Sequence, residues 1–407
     1  MWEQIRGNQR RAAFLVAGMA ALMLFVGYAA GEFLAPGAGV LGLSGALLLW
    51  IILTAVSYFQ GDSIFLALAG ARPIDKQDHP VLFNVVEEMT VAAGLPRMPA
   101  VYIVDDPSPN AFATGRDAER AAVAVTSGLL ELMDRDELQG VVAHELGHVK
   151  NRDVLYMLMV GIMMGVIVML ADLGARMVFY GGGRSRTSQS SRGGQGQALI
   201  IVVALVLMIL APILARLLYF ALSRRREYLA DASSALFTRY PEGLARALEK
   251  LSHTTVPLRA ANRATAPMYI VNPLAISSRG LRDLTSTHPR TTERIRILRA
   301  MAGGAGLPAY NEAFRTVTGR RVGVVPFSAL QESPAVTVPA RSPMAALTTH
   351  LDRVRATGDA LWRLNSFVFI ACACETTLKI PADYAGRTIP CPHCGTGHAV
   401  PHADPGR

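Results

Sequence analysis

The chain has 407 residues, of which 51% are hydrophobic and 17% are charged, and its formal net charge at pH 7 is +9. This length allows more than one domain, and so apolar a composition is unusual for a soluble protein. No basic helix and no array of interleaved aromatic and basic residues is present. We therefore expect no nucleic-acid partner and attribute the positive charge to contact with anionic lipid headgroups.

Four long apolar windows account for the composition. Each is about long enough to cross a roughly 30 Å hydrocarbon core as a helix, whereas four buried helices of this kind would overfill a soluble core. The windows are Ala12–Ala30, Val40–Phe59, Val154–Ala171 and Ala198–Leu222. The first window also resembles a signal peptide because Arg10 and Arg11 precede it, but no convincing small-residue cleavage site follows. We interpret it as a retained anchor.

The distribution of positive residues orients these windows, because Lys and Arg stay on the cytoplasmic side. Arginines precede the first window, and the connection 31–39 carries neither Lys nor Arg. The connection 181–197 carries three arginines, but basic residues also flank the second hairpin on both sides. We place both connections outside the cytoplasm. The sequence thus predicts a multi-pass α-helical protein of the inner membrane with four spans, whose active site and C-terminal tail are cytoplasmic.

The segment between the two hairpins has the character of a soluble domain. It predicts one amphipathic helix followed by three strands: His79–Leu95, Ala100–Asp106, Asn110–Gly115 and Ala121–Leu130. Asp134, three residues before Glu137, is typical of a capping box and predicts the start of another helix.

The part that follows the fourth window is also predicted to be helical at first. Helices are expected over Ser223–Phe237 and Pro241–His253, and Thr285–Ala300 is expected to be a turn that opens a helix with Pro289 in its first turn. The Pro- and Ala-rich stretch Ala335–Pro343 predicts a linker, and a short helix over Met344–Trp362 is expected after it.

The motif His144-Glu145-Leu146-Gly147-His148 follows the pattern H-E-x-x-H in the helix that begins near Asp134. Residues four apart share one face of a helix, so both imidazoles can reach a single cation. Glu145 lies beside them and is predicted to act as a base on water at the metal. Two imidazoles and a carboxylate are typical of catalytic zinc, which keeps a fourth position open.

The third ligand is expected in the stretch "SRRREYLAD" after the fourth window. The third window leaves the membrane face where His148 lies, and the fourth window returns to that face. Glu227 is therefore the predicted third ligand, and Asp231 is predicted to orient a ligating histidine by accepting its N–H. The alternative is a solvated basic face with charge pairs at i,i+4.

Several separated stretches carry a family resemblance: "PSPNAFATG", "AAVAVTSGLL", "VVAHELGHVKNRD", "SRRREYLAD" and "STHPRTTERI". In this order and spacing, between Ala71 and Ala300, the chain resembles the HtpX family of membrane-bound zinc metalloproteases, relatives of the CAAX prenyl proteases. The prenyl proteases fit less well because they carry more spans. The resemblance implies a zinc-dependent endopeptidase that degrades damaged or misassembled membrane proteins at the cytoplasmic face, with the metal ligands and base named above.

The resemblance also implies a substrate strand and two further site residues. The strand that takes up an extended substrate by backbone pairing contains Asn110, Ala111, Phe112 and Ala113. His288 and Arg294 are expected near the metal, where they stabilise the developing oxyanion, or where His288 caps the metal in a resting state. The alternative for His288 is a turn residue at the start of a helix.

The cysteines of the chain all lie near its C-terminus: Cys372, Cys374, Cys391 and Cys394. Their two knuckles resemble a zinc ribbon, a small β module that would hold a second, structural zinc and bind substrate or a partner. The first knuckle is C-x-C rather than C-x-x-C, so His393 and His398 are alternative ligands. Disulfides are disfavoured because an even number of spans leaves this tail in the reducing cytoplasm.

The predicted fold class is a four-span helical membrane protein with a mainly α zincin-like protease domain, a small β-sheet in that domain and a C-terminal β ribbon. Its parts are two transmembrane hairpins (1–60 and 154–222), two portions of the protease domain (61–153 and 223–302), a linker (303–360) and the ribbon (361–407). The predicted function is a zinc endopeptidase acting on proteins or peptides. The alternatives are a prenyl-protein-type protease and a membrane-anchored zinc protein that recruits substrates without cleaving them. Glu145 favours an enzyme, since a structural site needs no base.

Overall fold

The computed structural model describes residues 2–154, 224–259, 269–271, 289–331, 338–344 and 348–401. The third and fourth apolar windows therefore lie outside the described residues except for Val154, as does His288.

The chain begins with a helical hairpin whose two helices are α1 (Trp2–Leu34) and α2 (Gly39–Leu68). Among the described helices, α2 is long and apolar enough to cross a bilayer, and α1 contains a shorter apolar stretch. The two helices touch through glycine backbones, since a Cβ atom on Gly42 would lie 2.1 Å from the carbonyl oxygen of Gly27. Such close approach at small residues is how helices associate in lipid, where no hydrophobic force drives them together.

The first part of the protease domain is built on a four-stranded sheet. Its elements are β1 (Ala71–Pro73), α3 (Pro80–Ala93), β2 (Ala100–Val104), β3 (Ala111–Thr114) and β4 (Ala122–Thr126). The strand order is β1-β2-β4-β3, with β2 and β4 parallel and the other pairs antiparallel. The predicted helix and the first two predicted strands are confirmed, and β3 forms an edge of the sheet.

The predicted strand Ala121–Leu130 is wrong in its second half, because Ser127–Leu132 forms a short helix, α4. The Thr126 hydroxyl caps this helix by accepting the N–H of Leu129. Gly128 allows the turn, since a Cβ atom there would lie 2.1 Å from the carbonyl oxygen of Pro107. The apolar run is therefore shared between a strand and a helix, which alternation of apolar residues does not distinguish.

The helices that carry the candidate site follow. They are α5 (Arg135–Lys150), α6 (residues 224–238), α7 (Pro241–Ser252) and α8 (Thr291–Arg299). The predicted capping box of α5 is confirmed, with Asp134 and Glu137 bonding each other's backbone N–H. Pro289 does not lie in the first turn of α8 as predicted, because the helix begins two residues later at Thr291.

Helices α5 and α6 pack closely because small residues line their contact. A Cβ atom on Gly147 would lie 3.0 Å from the Cβ of Ser233. The Ser234 hydroxyl donates to the carbonyl oxygen of Gly140 at 2.8 Å, within the same contact. This contact places α6, which follows the fourth apolar window in the sequence, against the helix that carries the H-E-x-x-H motif.

The stretch 303–360, which the sequence assigns to a linker, contains helices where it is described, and the first of these are α9 (Leu307–Thr318) and α10 (Phe327–Gln331). Tyr310 and Phe314 of α9 are buried in the main core. Residues 338–344, here called the strap, then pack against the protease domain. The carbonyl oxygen of Val338 accepts the N–H of Ala305 at 2.8 Å. The Pro- and Ala-rich composition hides this because the strap is held by backbone bonds and by one arginine rather than by an apolar pattern.

Replacing that arginine, Arg341, with alanine is expected to lower the free energy of unfolding by about 1–3 kcal/mol. Its guanidinium donates to Asp136 at 2.6 Å and to Gln139 at 2.9 Å, and it stacks over the ring of Tyr240. Denaturant unfolding of the detergent-solubilised protein measures the change. Arg315→Ala is the control, since Arg315 is exposed and pairs with Glu312 on its own helix, and it should unfold like the parent. Equal free energies of unfolding for the two variants would contradict the claim that Arg341 stabilises the fold by holding the strap.

The C-terminal part consists of α11 (His350–Leu364) and a small ribbon. Its four strands form two antiparallel pairs, β5 (Val368–Ala371) with β6 (Thr377–Ile380) and β7 (Thr388–Pro390) with β8 (Gly397–Ala399). The short strands expected around the cysteines are confirmed. Helix α11 packs against α4, where Arg353 donates to the carbonyl oxygen of Glu131, and its far end lies beside Arg72, which donates to Asn365 at 2.8 Å.

Candidate metal centre

Three side chains from α5 and α6 converge on one point. His144 and His148 lie one helical turn apart on α5, and their rings are perpendicular with centroids 4.9 Å apart. Glu227 of α6 faces both, with carboxylate oxygens 3.6 Å from His144 Nε2 and 3.5 Å from His148 Nε2. All three side chains are buried, and one ligand atom from each lies within 4.8 Å of the others. The sequence predicted this set, and the structure brings it together.

The three residues fit zinc in spacing and in chemistry. Tetrahedral zinc with bonds near 2.0–2.1 Å separates its ligand atoms by about 3.4 Å, close to the observed distances. His144 Nε2 is buried and has no hydrogen-bond partner within the part of the chain that the structure describes. A buried imidazole nitrogen without a partner is costly, and a metal ion bound there removes the cost.

Each histidine is oriented by a carboxylate on its other ring nitrogen. His144 Nδ1 lies 2.9 Å from Asp231, and His148 Nδ1 lies 3.5 Å from Asp153. Burial alone lowers the pKa of His148, but the bonds to Asp153 and Glu227 outweigh it and raise that pKa to about 10. A carboxylate behind a ligating imidazole fixes its tautomer and makes it a stronger ligand. Asp231 was expected in this place, whereas Asp153 was missed, although it stands only five residues after His148.

Arg294 of α8 lies beneath the cluster and is only 1% exposed. It donates two hydrogen bonds to Asp231, at 2.6 and 2.8 Å, and its guanidinium is 3.5 Å from Glu227. Burial alone would raise the pKa of Asp231, but the charge of Arg294 and the hydrogen bonds from His144 and Arg294 together outweigh it and lower that pKa. The guanidinium therefore holds two acidic groups of the site in place. Its partner in the prediction, His288, lies outside the described residues.

Glu145 is buried between the two histidines and next to the edge strand. Burial raises the pKa of its carboxyl above the ordinary value, against the opposing effect of the neighbouring histidines. The backbone of Ala113 in β3 favours the ionised carboxylate and so opposes the effect of burial. Helix α5 contacts β3, so Glu145 lies near the sheet edge as well as beside the two histidines.

The outer edge of β3 is partly occupied by the chain itself. The N–H of Ile270 donates to the carbonyl oxygen of Ala111 at 3.0 Å, and Asn110 Nδ2 donates to the carbonyl oxygen of Val271 at 3.0 Å. Residues two apart on a strand face the same edge, so Ala113 faces outward like Ala111. The outward groups nearest to Glu145 are therefore those of Ala113.

Phe112, one of the predicted substrate residues, has a side chain that is buried in the core and does not reach the edge of β3. Its ring is buried between two other aromatic rings, with centroids 4.6 Å from Phe65 and 5.3 Å from Tyr269. Phe65 belongs to the end of α2, so the aromatic cluster joins the first hairpin to the edge strand. The ring of Phe112 therefore supports the strand from the core and is not available to contact a substrate.

A second candidate metal site lies in the ribbon. The four cysteine Sγ atoms lie within 4.8 Å of one another, and neither His393 nor His398 belongs to this group of described residues. Two of the Sγ separations are 3.4 Å (Cys372 to Cys394) and 3.7 Å (Cys374 to Cys391), which excludes disulfide bonds in these pairs. Zinc–sulfur bonds near 2.3 Å separate tetrahedral thiolates by about 3.8 Å, so the set fits zinc.

Comparisons with known proteins agree with this geometry. Residues 76–302 match peptidase family M48. The protease HtpX homologue of Dictyoglomus turgidum is 45% identical over 300 residues, which cover 74% of this chain and 94% of the relative. That of Syntrophobacter fumaroxidans is 43% identical over 298 residues, which cover 72% of this chain and all of the relative.

Among solved structures, Ste24p of S. mikatae matches 73% of this chain and 67% of its own with a TM-score of 0.40 and 17% identity. The family resemblance predicted from the motifs is confirmed by the M48 match and by the HtpX relatives. The chain belongs to peptidase family M48, among the HtpX proteases, and is a membrane-bound zinc metalloprotease.

Proposed function

We propose that His144, His148 and Glu227 hold the catalytic zinc and that Glu145 is the general base of peptide hydrolysis. The observation that carries this assignment is the convergence of the three ligand atoms within 4.8 Å, with one unpartnered imidazole nitrogen among them. Zinc bound there supplies a Lewis acid that lowers the pKa of a water molecule and polarises the substrate carbonyl. Every other step falls to side chains of the chain.

Glu145 takes the proton of the attacking water and passes it to the leaving amine. Its carboxylate is suited to this because burial raises its pKa above the ordinary value beside the two histidines. Asp231 and Asp153 hold the two imidazoles with Nε2 toward Glu227, where the zinc would bind. Arg294 acts as a positioning residue through Asp231 and Glu227, and His288 remains our candidate for stabilising the oxyanion or capping the metal at rest.

The substrate is proposed to bind as an extended strand along β3. Of the predicted substrate residues, Ala111, Phe112 and Ala113 lie in β3, and Asn110 directly precedes it. Because the carbonyl oxygen of Ala111 already accepts the N–H of Ile270, we assign the pairing position to Ala113. Backbone pairing would hold many sequences in one conformation beside Glu145. Such tolerance suits an enzyme that removes damaged proteins of varied sequence.

The biological role that we propose is degradation of misfolded membrane proteins at the cytoplasmic face by a protein with four spans. Two features support it. Helix α2 ends at Leu68 and β1 begins at Ala71, so the sheet lies directly beyond a helix able to cross a bilayer. The third apolar window also begins at Val154, four residues after the end of α5. The active site would then lie close to segments that leave the membrane.

We also propose that the ribbon, residues 361–407, binds a second and structural zinc through its four cysteines and takes part in recruiting substrates. The support is the donor set, because four thiolates enclose zinc completely and leave no position for water. A module this small buries few apolar side chains, so metal binding would supply much of its folding free energy.

The metal content of purified full-length protein tests both sites. We expect two zinc ions per chain in the parent, one in Cys391→Ser with casein cleavage retained, and one in Glu227→Ala with cleavage lost. Elemental analysis counts the zinc, and casein digestion measures activity. A parent with one zinc that survives in Cys391→Ser would refute the ribbon site, whereas two ions in Glu227→Ala would refute the catalytic assignment.

A further inference from the structure

The connection between α9 and α10 and the first residue of α10 carry two large apolar side chains that point into solvent. Val322 is 76% exposed and Phe327 is 74% exposed. Beyond α2, Phe327 is the only exposed phenylalanine among the residues whose side chains are described. A single exposed apolar residue is ordinary, but a pair of this size on one short segment calls for a partner.

The exposure is imposed by the backbone of this connection. Val324 and Val325 are 3% and 5% exposed, and they anchor the connection in the core between the two outward residues. The N–H of Val325 donates to Asn311 Oδ1 at 3.1 Å. Because the buried valines hold the chain, Val322 and Phe327 cannot both turn inward without breaking this packing.

The connection lies beside two parts of the chain that adjoin the membrane in the proposed topology. Helix α10 is in contact with α1, the first helix of the N-terminal hairpin. The carbonyl oxygen of Val324 accepts a bond of 3.3 Å from Arg225, which stands three residues after the last apolar window ends at Leu222. Both neighbours therefore adjoin segments that cross the membrane in the proposed topology.

The charge of the connection matches a lipid surface. Arg320 and Arg321 are exposed and directly precede Val322. The nearby Glu312 pairs with Arg315, so that acidic charge is already balanced. Arginine beside exposed apolar residues is typical of segments that lie in the headgroup region, where the charge meets anionic lipid and the apolar groups reach the acyl boundary.

These four residues form an interface cluster: Arg320, Arg321, Val322 and Phe327. We propose that the interface cluster binds the anionic cytoplasmic surface of the bilayer and inserts its two apolar side chains at the acyl boundary. The proposal rests on the membrane topology given under the proposed function. It gives the protease domain an attachment to the membrane besides its spans, on the α9 side, and so fixes the height of the site above the lipid.

Tryptophan quenching in nanodiscs tests the proposal. The full chain carrying Glu145→Gln, to prevent self-cleavage, is reconstituted with lipids that are brominated in the acyl chains and include phosphatidylglycerol. We expect Phe327→Trp to add fluorescence that the brominated lipid quenches. The matched control is Leu351→Trp, which is equally exposed at 74% but lies at the end of α11 remote from Arg72, and its added fluorescence should persist.

The charge component has its own comparison. The double change Arg320→Glu and Arg321→Glu, added to Phe327→Trp, should reduce the quenching in discs that contain phosphatidylglycerol. In discs of phosphatidylcholine alone the same change should reduce the quenching less, because these discs contain no anionic headgroup for the arginines to bind. Equal quenching with and without the arginines in both lipids would overturn the electrostatic part of the proposal.

Two outcomes separate this proposal from the topology on which it rests. Trp50 lies within α2, the proposed membrane span, so brominated lipid should quench its fluorescence. The total quenching should therefore be smaller in Trp50→Phe than in the parent. If Trp50 is not quenched, the membrane placement of the hairpin itself fails. If Trp50 is quenched but the introduced tryptophan at 327 is not, the interface cluster fails alone. Protection of the latter from aqueous iodide without lipid quenching would mean that a protein covers the surface, which also overturns the proposal.

Discussion

Replacing Glu145 with glutamine is expected to lower the rate of casein cleavage by at least ~10²–10⁴-fold, the usual contribution of a general base. The amide has nearly the shape of the carboxylate but cannot take a proton from water. Because Glu145 is not among the three converging ligand atoms, the variant should keep its zinc. Casein digestion measures the rate, and elemental analysis of the same sample measures the metal.

A second variant separates loss of the base from loss of the metal. His148→Ala removes a proposed ligand, so both zinc at this site and activity should disappear together. Self-cleavage of the full-length chain gives another readout, since it should stop in Glu145→Gln. Cleavage by Glu145→Gln at the rate of the parent would refute the proposed mechanism, even if the zinc stoichiometry is as expected.

Replacing Asp231 with alanine is expected to have the largest effect on stability. Arg294 is fully buried and makes its bidentate bond to Asp231, so the change leaves a buried cation without that partner. Breaking a buried pair in this way costs roughly 3–5 kcal/mol. The imidazole of His144 also loses the carboxylate on Nδ1, and zinc affinity should fall about 10–100-fold. Denaturant unfolding and competition with a chelator measure the two effects separately.

Controls distinguish this role from a general effect of losing an acidic group. Glu249→Ala removes one side of an exposed pair with Arg299 and should leave both stability and zinc affinity close to those of the parent. Asp231→Asn keeps an oxygen that can accept from Arg294 and should be less damaging than alanine. If Asp231→Ala binds zinc as tightly as the parent, the positioning role assigned to this carboxylate is wrong.

Much of the local structure follows from short stretches of sequence. The capping pair Asp134 and Glu137 defines the start of α5, and Gly94 in the left-handed region ends α3. Periodicity predicts these helices because their hydrogen bonds join residues four apart. It failed at Ser127–Leu132, where apolar residues continue from a strand into a helix and the boundary depends on a single threonine cap.

The H-E-x-x-H pairing of His144 and His148 is likewise determined by the sequence alone, because any helix puts residues four apart on one face. The family resemblance rests on contiguous motifs and needed no structure. The tertiary structure decided what lies around that pair: Asp153 behind His148, the two bonds from Arg294 to Asp231, and Ile270 along the edge of β3. These contacts join separate elements, and Arg294 and Asp231 stand 63 residues apart in the chain. They depend on how helices and strands pack, which no local pattern encodes.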